Sequence, residues 1–344
     1  MITVKKVLPV VYPSVTGYTP MAGLFSILEG YDYTKPWRYG NYIQIAFSLR
    51  KQAAFINSFD LTTLPGFHGH TCCPWISYSA VNRDTISMLS PSFVDFAVKS
   101  IDTGNYLYFV VDQFYLSGTG SGKNHVHLPH DIFVYGYDSD RSVFYVGDFL
   151  FRNKFSFEQV PFCEMEDGYR AVANDFINFN RGGVGLWSFH EDIRYEFDVR
   201  FVKEQFVELR DSFDLSEHFR GIISPNYTSS AYGMRAYALI AEILRSSEDS
   251  PKGLLVCAHN LLDHKELMLQ RLAFMSENGW LGDTAEIIAG YRQIRDEFKA
   301  ICNRMIKYIV AEKAQSIRSL ADRMEDAAET ERSVVDRIIE NIVA

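Results

Sequence analysis

The pattern of hydrophobic and polar positions divides the chain into two parts. Runs of aromatic and β-branched residues, such as Tyr106–Val111, dominate residues 1–200 and predict strands. From residue 201 onward, apolar positions recur with the spacing of a helix. Helices are predicted there over 231–245, 257–278, 284–311 and 317–343. We therefore predict an α+β domain over residues 1–200 and a helical domain over residues 201–344.

Helix signals also occur in the first part. Thr19 is placed as the N-cap of a helix over 20–29, with Pro20 at its first position and Gly30 at its end. The other predicted elements are a helix over 91–103 capped by Ser90, a helix over 40–51, strand and loop over 76–88, and a strand over 105–116.

A β-hairpin is predicted between His130 and Asp148. Two aromatic and β-branched runs, over 130–137 and 142–148, flank a polar turn. Folding the chain about residue 139 places His130 opposite, or nearly opposite, Asp148, where cross-strand Cβ atoms are roughly 5 Å apart. If the register is even, both side chains point to the same face. An imidazole oriented by a carboxylate supplies two of the three parts of a nucleophilic triad, so these residues are the leading catalytic candidates.

Composition restricts the classes of partner. Of the 344 residues, 47% are hydrophobic and 22% are charged, which is typical of a globular protein. The net charge of −9 argues against a nucleic-acid partner, although an acidic protein can bind a basic amine. No apolar run reaches the ~20 residues of a membrane span, and no signal-peptide core opens the chain. We therefore expect a cytoplasmic protein without nucleic-acid or membrane partners.

The cysteines and histidines give weak metal signals. Five dispersed cysteines show no Cys-x-x-Cys spacing, so no zinc framework is predicted and a reducing cytoplasm is expected. His125, His127 and His130 could supply three ligands, with a fourth from a nearby aspartate or from the segment 68–73. A zinc-dependent hydrolase is therefore a weaker alternative, and the leading prediction has no metal and no cofactor.

Gly118–Lys123 looks like a phosphate-binding loop because it follows a strand. However, Ser117 stands where the leading glycine belongs, and Asn124 stands where a serine or threonine should follow the lysine. The segment also leads into a histidine-rich loop, so no helix N-terminus would face an anion. A flexible loop over a cleft is the better interpretation.

Several motifs carry a resemblance to a known family. They are Gly104–Asp112, His130–Asp138, Phe144–Phe149, Tyr232–Ala236, His264–Leu272 and Lys307–Tyr308. The chain resembles papain-like cysteine peptidases of the bacteriocin-leader-processing type and, more closely, the BtrH-like N-terminal family, named for a butirosin-biosynthesis acyltransferase. As a pattern, the resemblance covers most of the chain. It implies a papain-like domain with an antiparallel sheet and a buried N-terminal helix, followed by an α-helical domain.

Acyl transfer is the activity that this resemblance implies. In the family, a cysteine at the N-terminus of the first buried helix takes an acyl group from a carrier-protein thioester. It passes the group to an amine during bacterial specialised-metabolite biosynthesis, including antibiotic biosynthesis. The helix N-terminus and a nearby imidazolium lower the pKa of such a thiol. By this resemblance His130 would be the base, Asp148 would orient it, and Tyr18, Asp112 and Gln113 would bind substrate.

Thr19 stands where the family's cysteine belongs. No cysteine precedes Cys72, and residues 1–40 hold no Asn or Gln for a side-chain oxyanion donor. Three interpretations stay open: Thr19 is the nucleophile, Cys72 or Cys73 reaches the histidine, or the site works without a covalent intermediate. In the last case the chain is a non-covalent catalyst or a catalytically silent relative that binds a pathway intermediate or a carrier protein. The last helix could also mediate a homodimer.

Overall fold

The computed structural model describes residues 4–50, 53–56, 72–118, 126–149, 154–172, 183–215, 217, 231–246, 252–311 and 314–343. The chain forms two compact units. Unit 1 comprises Met1–Asp32 and Gly69–Arg194, and unit 2 comprises Tyr33–His68 and Tyr195–Ala344. The second boundary between the units, at residues 194 and 195, lies close to the predicted boundary at residue 200. The sequence pattern did not indicate that residues 33–68 belong to unit 2.

The elements are numbered in chain order. The strands are β1 (Lys5–Val7), β2 (Ala46–Arg50), β3 (Ala53–Ile56), β4 (Ile76–Val81), β5 (Asn105–Asp112), β6 (Pro129–Asp138), β7 (Val143–Asp148), β8 (Ser156–Pro161), β9 (Val184–Phe189) and β10 (Ala231–Tyr232). The α-helices are α1 (Thr19–Leu28), α2 (Lys35–Gly40), α3 (Arg83–Leu89), α4 (Phe93–Asp102), α5 (Phe162–Ala171), α6 (Val199–Asp211), α7 (Met234–Ser246), α8 (Lys252–Glu277), α9 (Thr284–Val310) and α10 (Ala314–Asn341).

Seven of the described strands form one antiparallel sheet in unit 1. Six of them follow the order β4–β9–β5–β6–β7–β8. The seventh, β1, pairs with the half of β6 that lies beyond its pairing with β5. The sheet and its helices confirm the predicted mixture of α-helices and antiparallel strands.

The predicted hairpin is β6 and β7, and it contains a β-bulge. Near the turn Tyr137 pairs with Phe144, whereas farther out Phe133 pairs with Gly147. One extra residue, Tyr135, is therefore inserted in β6 between the two registers.

The bulge decides which face of the sheet carries the histidine and the aspartate. Extended by one residue, the outer register sets Asp148 opposite Ile132, which is two positions from His130 and on the same face. The inner register would have set Asp148 opposite Phe133, on the other face, because a slip of one residue exchanges the two faces. One inserted residue thus produces the even register that the sequence prediction required, with His130 placed diagonally to Asp148.

α1 is buried along its whole length, as expected for a helix of apolar and small residues. Gly23 lets it approach the sheet, because a Cβ there would lie 3.0 Å from the ring of Phe133. The N-cap is Tyr18, in the extended conformation, and no side chain caps the helix. The prediction that Thr19 is the N-cap is therefore wrong. Thr19 is the first helical residue, and its hydroxyl donates a hydrogen bond to Asp148.

The prediction of a helix over 40–51 is also wrong. α2 ends at Gly40, and the chain continues toward β2. Ile43, Ile45 and Phe47 are all fully buried. They are two residues apart, which is the period of a strand, and residues 42–47 are all buried, so both faces of this segment are covered.

Two helix starts in unit 1 differ from the prediction. The prediction of strand and loop over 76–88 is wrong for its second half, because residues 83–89 are helical and Asn82 caps α3 by accepting a hydrogen bond from Asp84 N. α4 is capped by Ser92 instead of Ser90. In each helix, the side chain of the capping residue accepts one free N–H group of the first turn.

Unit 2 combines a helical core with a small sheet. The four predicted C-terminal helices are confirmed as α7–α10, and β2, β3 and β10 form an antiparallel sheet. Leu320, Met324 and Ile338 of α10 are buried in the core of the same unit. The apolar face of α10 therefore packs against the core of unit 2. No helix in the described ranges is both long and apolar enough to cross a bilayer.

A buried ion pair lies within the helical core. Lys265 Nζ on α8 is 2.6 Å from Glu331 Oε1 on α10, and both side chains are fully buried. Lys265 also donates to Tyr237 OH (2.5 Å) and to His264 Nδ1 (2.9 Å). Tyr237 and Tyr291 in turn donate to Glu331. Helices α7, α8, α9 and α10 are thus joined through one polar network.

Removal of one partner from this ion pair should destabilise the chain strongly. We expect Glu331→Ala to lower the free energy of unfolding by about 3–5 kcal/mol, because it leaves the Lys265 ammonium buried without a counter-charge. Denaturant unfolding of the full chain, followed by circular dichroism, measures the change. The control is Arg337→Ala, which breaks exposed pairs with Asp283 and Glu286 and should cost much less, because solvent screens these pairs. Equal losses in the two variants would contradict the importance of the buried pair.

Candidate active site

Asp148, the last residue of β7, lies between Thr19 and His130. Thr19 Oγ1 donates a hydrogen bond of 3.3 Å to Asp148 Oδ1. His130 Nδ1 lies 3.5 Å from Asp148 Oδ2. Three residues from the start of α1, the start of β6 and the end of β7 therefore meet in one cluster.

The Asp148 carboxylate is almost completely buried, with 1% of the side chain exposed. Oδ1 also accepts a hydrogen bond of 2.6 Å from Phe149 N. Oδ2 accepts no close hydrogen bond from the residues that the structure describes, and the His130 ring is the cationic group beside it. Burial raises the pKa of the Asp148 carboxyl, while His130 and the Phe149 N–H oppose that rise. A buried carboxylate of this kind depends on a neighbouring cation.

The imidazole of His130 supplies that cation. Burial by itself would lower the pKa of His130, but the interaction with Asp148, assisted by Asp131, outweighs burial and raises the pKa to about 9. Nδ1 also lies 2.9 Å from Asp131 O, which fixes the ring. The ring is therefore protonated at neutral pH. The predicted role of a base requires the neutral ring, whereas the protonated ring offers an Nε2–H donor.

The order of contacts differs from that of a nucleophilic triad. In a triad, the imidazole lies between the nucleophile and the carboxylate and takes the nucleophile's proton. Here the carboxylate of Asp148 lies between Thr19 and His130. Within the described part of the chain, no hydrogen bond joins the Thr19 hydroxyl to the imidazole. This arrangement does not activate Thr19, so it disfavours the interpretation in which Thr19 is the nucleophile.

Asp112 forms a second histidine–carboxylate pair at the same end of the sheet. Its Oδ2 lies 2.7 Å from His127 Nδ1. Its Oδ1 accepts hydrogen bonds from Phe114 N (3.1 Å) and Leu128 N (3.0 Å). Asp112 was predicted to bind substrate and His127 to bind a metal, but their pairing was not predicted. The pairing could have been predicted from the sequence, because one strand ends in an aspartate and a histidine shortly precedes the next strand.

The remaining substrate-binding candidates differ in exposure. Tyr18 is 41% exposed and directly precedes Thr19, so it can contact a ligand at the cluster. Gln113 is buried, and its backbone N–H donates a hydrogen bond of 2.9 Å to Leu128 O. Its burial disfavours direct contact between the Gln113 side chain and a substrate.

Neither candidate cysteine is among the polar contacts of the His130 ring. Cys73 is buried, and burial raises its pKa to about 12, so it carries no thiolate at neutral pH. Cys72 is partly exposed and directly precedes it. The polar contacts of the His130 ring are with Asp148 and Asp131. The interpretation with either cysteine as nucleophile therefore has no contact to support it among the described residues.

The predicted metal site lies mostly outside the described residues. His68, His70 and His125 belong to segments that the structure does not describe, as does most of Gly118–Lys123. In the ranges that it does describe, no group of three or more His, Cys, Asp or Glu side chains could hold a metal ion. The zinc site and the loop over a cleft stay predictions.

Neither a scan against protein-family models nor a search of curated proteins finds a match to the chain. The papain-like fold and the BtrH-like family therefore stay proposals.

The Asp148 carboxylate should control the protonation of His130. We expect the pKa of His130 to be about 9 in the wild type and to fall to or below its ordinary value of 6.5 in Asp148→Asn, because burial then acts without the opposite charge. NMR titration of the histidine ring protons measures both values. An unchanged His130 pKa in the variant would contradict the pairing.

The same pair makes folding depend on pH. Because the folded-state pKa of His130 is raised, its contribution to stability is fully present below pH 6.5 and is lost as the pH rises through about 9. The raised pKa of Asp148 acts at lower pH, where ionisation above the ordinary value of 3.8 costs stability. Relative to Asp148→Asn, the wild type should therefore lose stability between pH 6.5 and 9 in denaturant titrations.

Proposed function

We propose that the chain is an acyl- or aminoacyl-transferase that moves an acyl group from a thioester to an amine at the cluster of Thr19, Asp148 and His130. We also propose a papain-like fold for unit 1, related to the BtrH-like family, and a carrier-protein thioester as donor in bacterial specialised-metabolite biosynthesis. The observation that supports this most is the meeting of Thr19 and His130 at one buried carboxylate, although 129 positions separate Thr19 from Asp148.

The layout of the cluster is compatible with a papain-like site in which one residue has changed. A buried helix presents its first residue beside a carboxylate that ends one strand, and a histidine lies near the start of the neighbouring strand. A helix N-terminus favours negative charge that develops nearby. Because the Thr19 hydroxyl already donates to Asp148, transfer proceeds directly from thioester to amine, without an acyl-enzyme.

The protonated His130 suits direct transfer. Its Nε2–H can donate to the thioester carbonyl oxygen, which gains negative charge as the amine attacks. The C–N bond forms, the C–S bond breaks, His130 gives its proton to the departing thiolate, and the amine nitrogen loses a proton to solvent. Its pKa of about 9 is close to the ~8.5 of an ordinary thiol, which favours proton transfer between the two groups. Asp148 keeps the ring protonated and oriented for this step.

A second candidate is a catalytically silent protein that binds a pathway intermediate or a carrier protein. The hydrogen bond from Thr19 to Asp148 favours it, because no activated nucleophile remains at the start of α1. In this case the His130 imidazolium would only bind an anionic or carbonyl group. Turnover of a thioester separates the two candidates.

Loss of the imidazole should reduce transfer. We expect the wild type to accelerate aminolysis of an N-acetylcysteamine thioester by a primary amine, and His130→Ala to lower kcat by about 10²-fold or more, because the proton donor is lost. Release of the free thiol measures the rate. His190→Ala removes another hydrogen-bonded imidazole of unit 1 and is the matched control. Full activity in His130→Ala would end this mechanism. Tight thioester binding by a wild type without turnover would favour the binding protein.

A cysteine at position 19 should trap the acyl group. In Thr19→Cys, the helix N-terminus and the nearby imidazolium should lower the pKa of the new thiol, so that incubation with the thioester acylates it. Intact-protein mass spectrometry and peptide digestion locate the adduct, with Thr19→Val as the matched control. We expect no adduct on the wild type. An adduct on the wild type would establish covalent transfer. The absence of an adduct on Thr19→Cys would contradict the papain-like layout.

A further inference from the structure

The imidazole of His130 has two acceptors beside the same ring nitrogen. Nδ1 lies 2.9 Å from the backbone carbonyl oxygen of Asp131 and 3.5 Å from Asp148 Oδ2. Neither a carbonyl nor an ionised carboxylate can donate a hydrogen bond, so Nδ1 carries a proton in the charged ring and in the neutral ring alike. The closer acceptor is the carbonyl, and its direction therefore contributes to the orientation of the ring.

The β-ladder does not hold this carbonyl. Gln113 N donates to Leu128 O, directly opposite in the register of β5 and β6, so ladder bonds fall on every second pair from there. The pair of Val110 and Asp131 is one that exchanges none. On the other side of β6, the pairing with β7 reaches only to Phe133. The direction of the Asp131 carbonyl therefore depends on contacts outside the ladder.

Tyr108 supplies such a contact from the opposite face of the sheet. Side chains alternate along β6, so the Asp131 carboxylate lies on the face away from His130. Tyr108 of β5 is opposite Phe133 and hence diagonal to Asp131 on that face. Its hydroxyl donates a hydrogen bond of 2.6 Å to Asp131 Oδ2. The Asp131 side chain is thereby tied to the neighbouring strand.

The Tyr108 side chain is itself well fixed. Its ring stacks on Trp187, with 5.5 Å between the centroids. Burial, together with the charge of Asp131, raises the pKa of Tyr108 well above its ordinary value of 10. The hydroxyl therefore keeps its proton and remains a hydrogen-bond donor to the carboxylate.

We propose that Tyr108 and Asp131 are positioning residues that orient the His130 imidazole for acyl transfer. This inference rests on the acyl-transfer function proposed above. Tyr108 holds the Asp131 side chain, Asp131 presents its carbonyl to Nδ1, and the ring then aims Nε2–H at the thioester. Asp148 supplies the negative charge beside the ring, whereas Asp131 supplies its direction.

Removal of the Tyr108 hydroxyl tests this role. We expect Tyr108→Phe to lower kcat for thioester aminolysis about 10-fold with little change in KM, because the imidazole is intact but less precisely aimed. Tyr106→Phe is the matched control and should keep full activity. Tyr106 lies two residues earlier on the same face of β5, and its hydroxyl donates to Pro9 O (2.7 Å) instead.

Variants of Asp131 separate positioning from packing. Asp131→Ala removes the acceptor of the Tyr108 hydroxyl, so kcat should fall at least as far as in Tyr108→Phe. Adding Tyr108→Phe to Asp131→Ala should cause no further loss, because the two side chains act through one hydrogen bond. Asp131→Asn keeps an acceptor oxygen and should retain most of the activity at neutral pH. Additive losses in the double variant would overturn the inference.

The order of the ring can also be measured without a substrate. Proton NMR should show slow solvent exchange of the His130 Nδ1 proton in the wild type and in Tyr106→Phe, and exchange about 10-fold faster in Tyr108→Phe. Equal exchange in all three proteins would overturn the inference.

The outcomes distinguish this inference from the proposed function. An active wild type with full activity in Tyr108→Phe would overturn the role of Tyr108 and leave the transferase proposal in place. A wild type without thioester aminolysis would overturn the transferase proposal. The exchange measurement would then still decide whether Tyr108 orients the ring.

Discussion

A buried carboxylate that keeps its charge needs a cation beside it, and Asp148 imposes this requirement on unit 1. The cation is His130, whose pKa is raised to about 9 for this reason. The same carboxylate receives the hydroxyl of Thr19 and so connects the start of the buried helix with the sheet. The protonation of the histidine and the direction of the threonine hydroxyl, which together decide what chemistry the cluster can perform, therefore both follow from one side chain.

The sequence predicted those parts of the structure that depend on local periodicity. The four C-terminal helices and the hairpin of β6 and β7 are confirmed, because their apolar spacing and turn residues are visible within short windows. The motifs also pointed to Thr19, His130 and Asp148 as one group before their contacts were known. The helix over 40–51 was mispredicted because residues there alternate over too short a run to exclude a helix.

Other features depend on tertiary burial, which a single sequence does not reveal. Lys265 and Glu331 stand among other charged residues of long helices, so nothing in their spacing distinguishes them from residues on a solvated face. Their complete burial follows from the packing of four helices. Likewise, the order of contacts at Asp148 and the pairing of Asp112 with His127 require positions in space that motif spacing does not provide.

The inserted Tyr135 has a consequence for how this hairpin can change in length. Residues 139–142 form the turn outside the paired positions, so insertions there need not disturb the strands. A single insertion or deletion in either arm, between the bulge and the outer ends, would instead move His130 and Asp148 to opposite sides of the sheet. The buried Asp148 anion would then lie on one side of the sheet and the His130 imidazolium on the other. The arms of the hairpin therefore tolerate changes in length only by two residues at a time, whereas the turn is suited to insertions and to the attachment of a label.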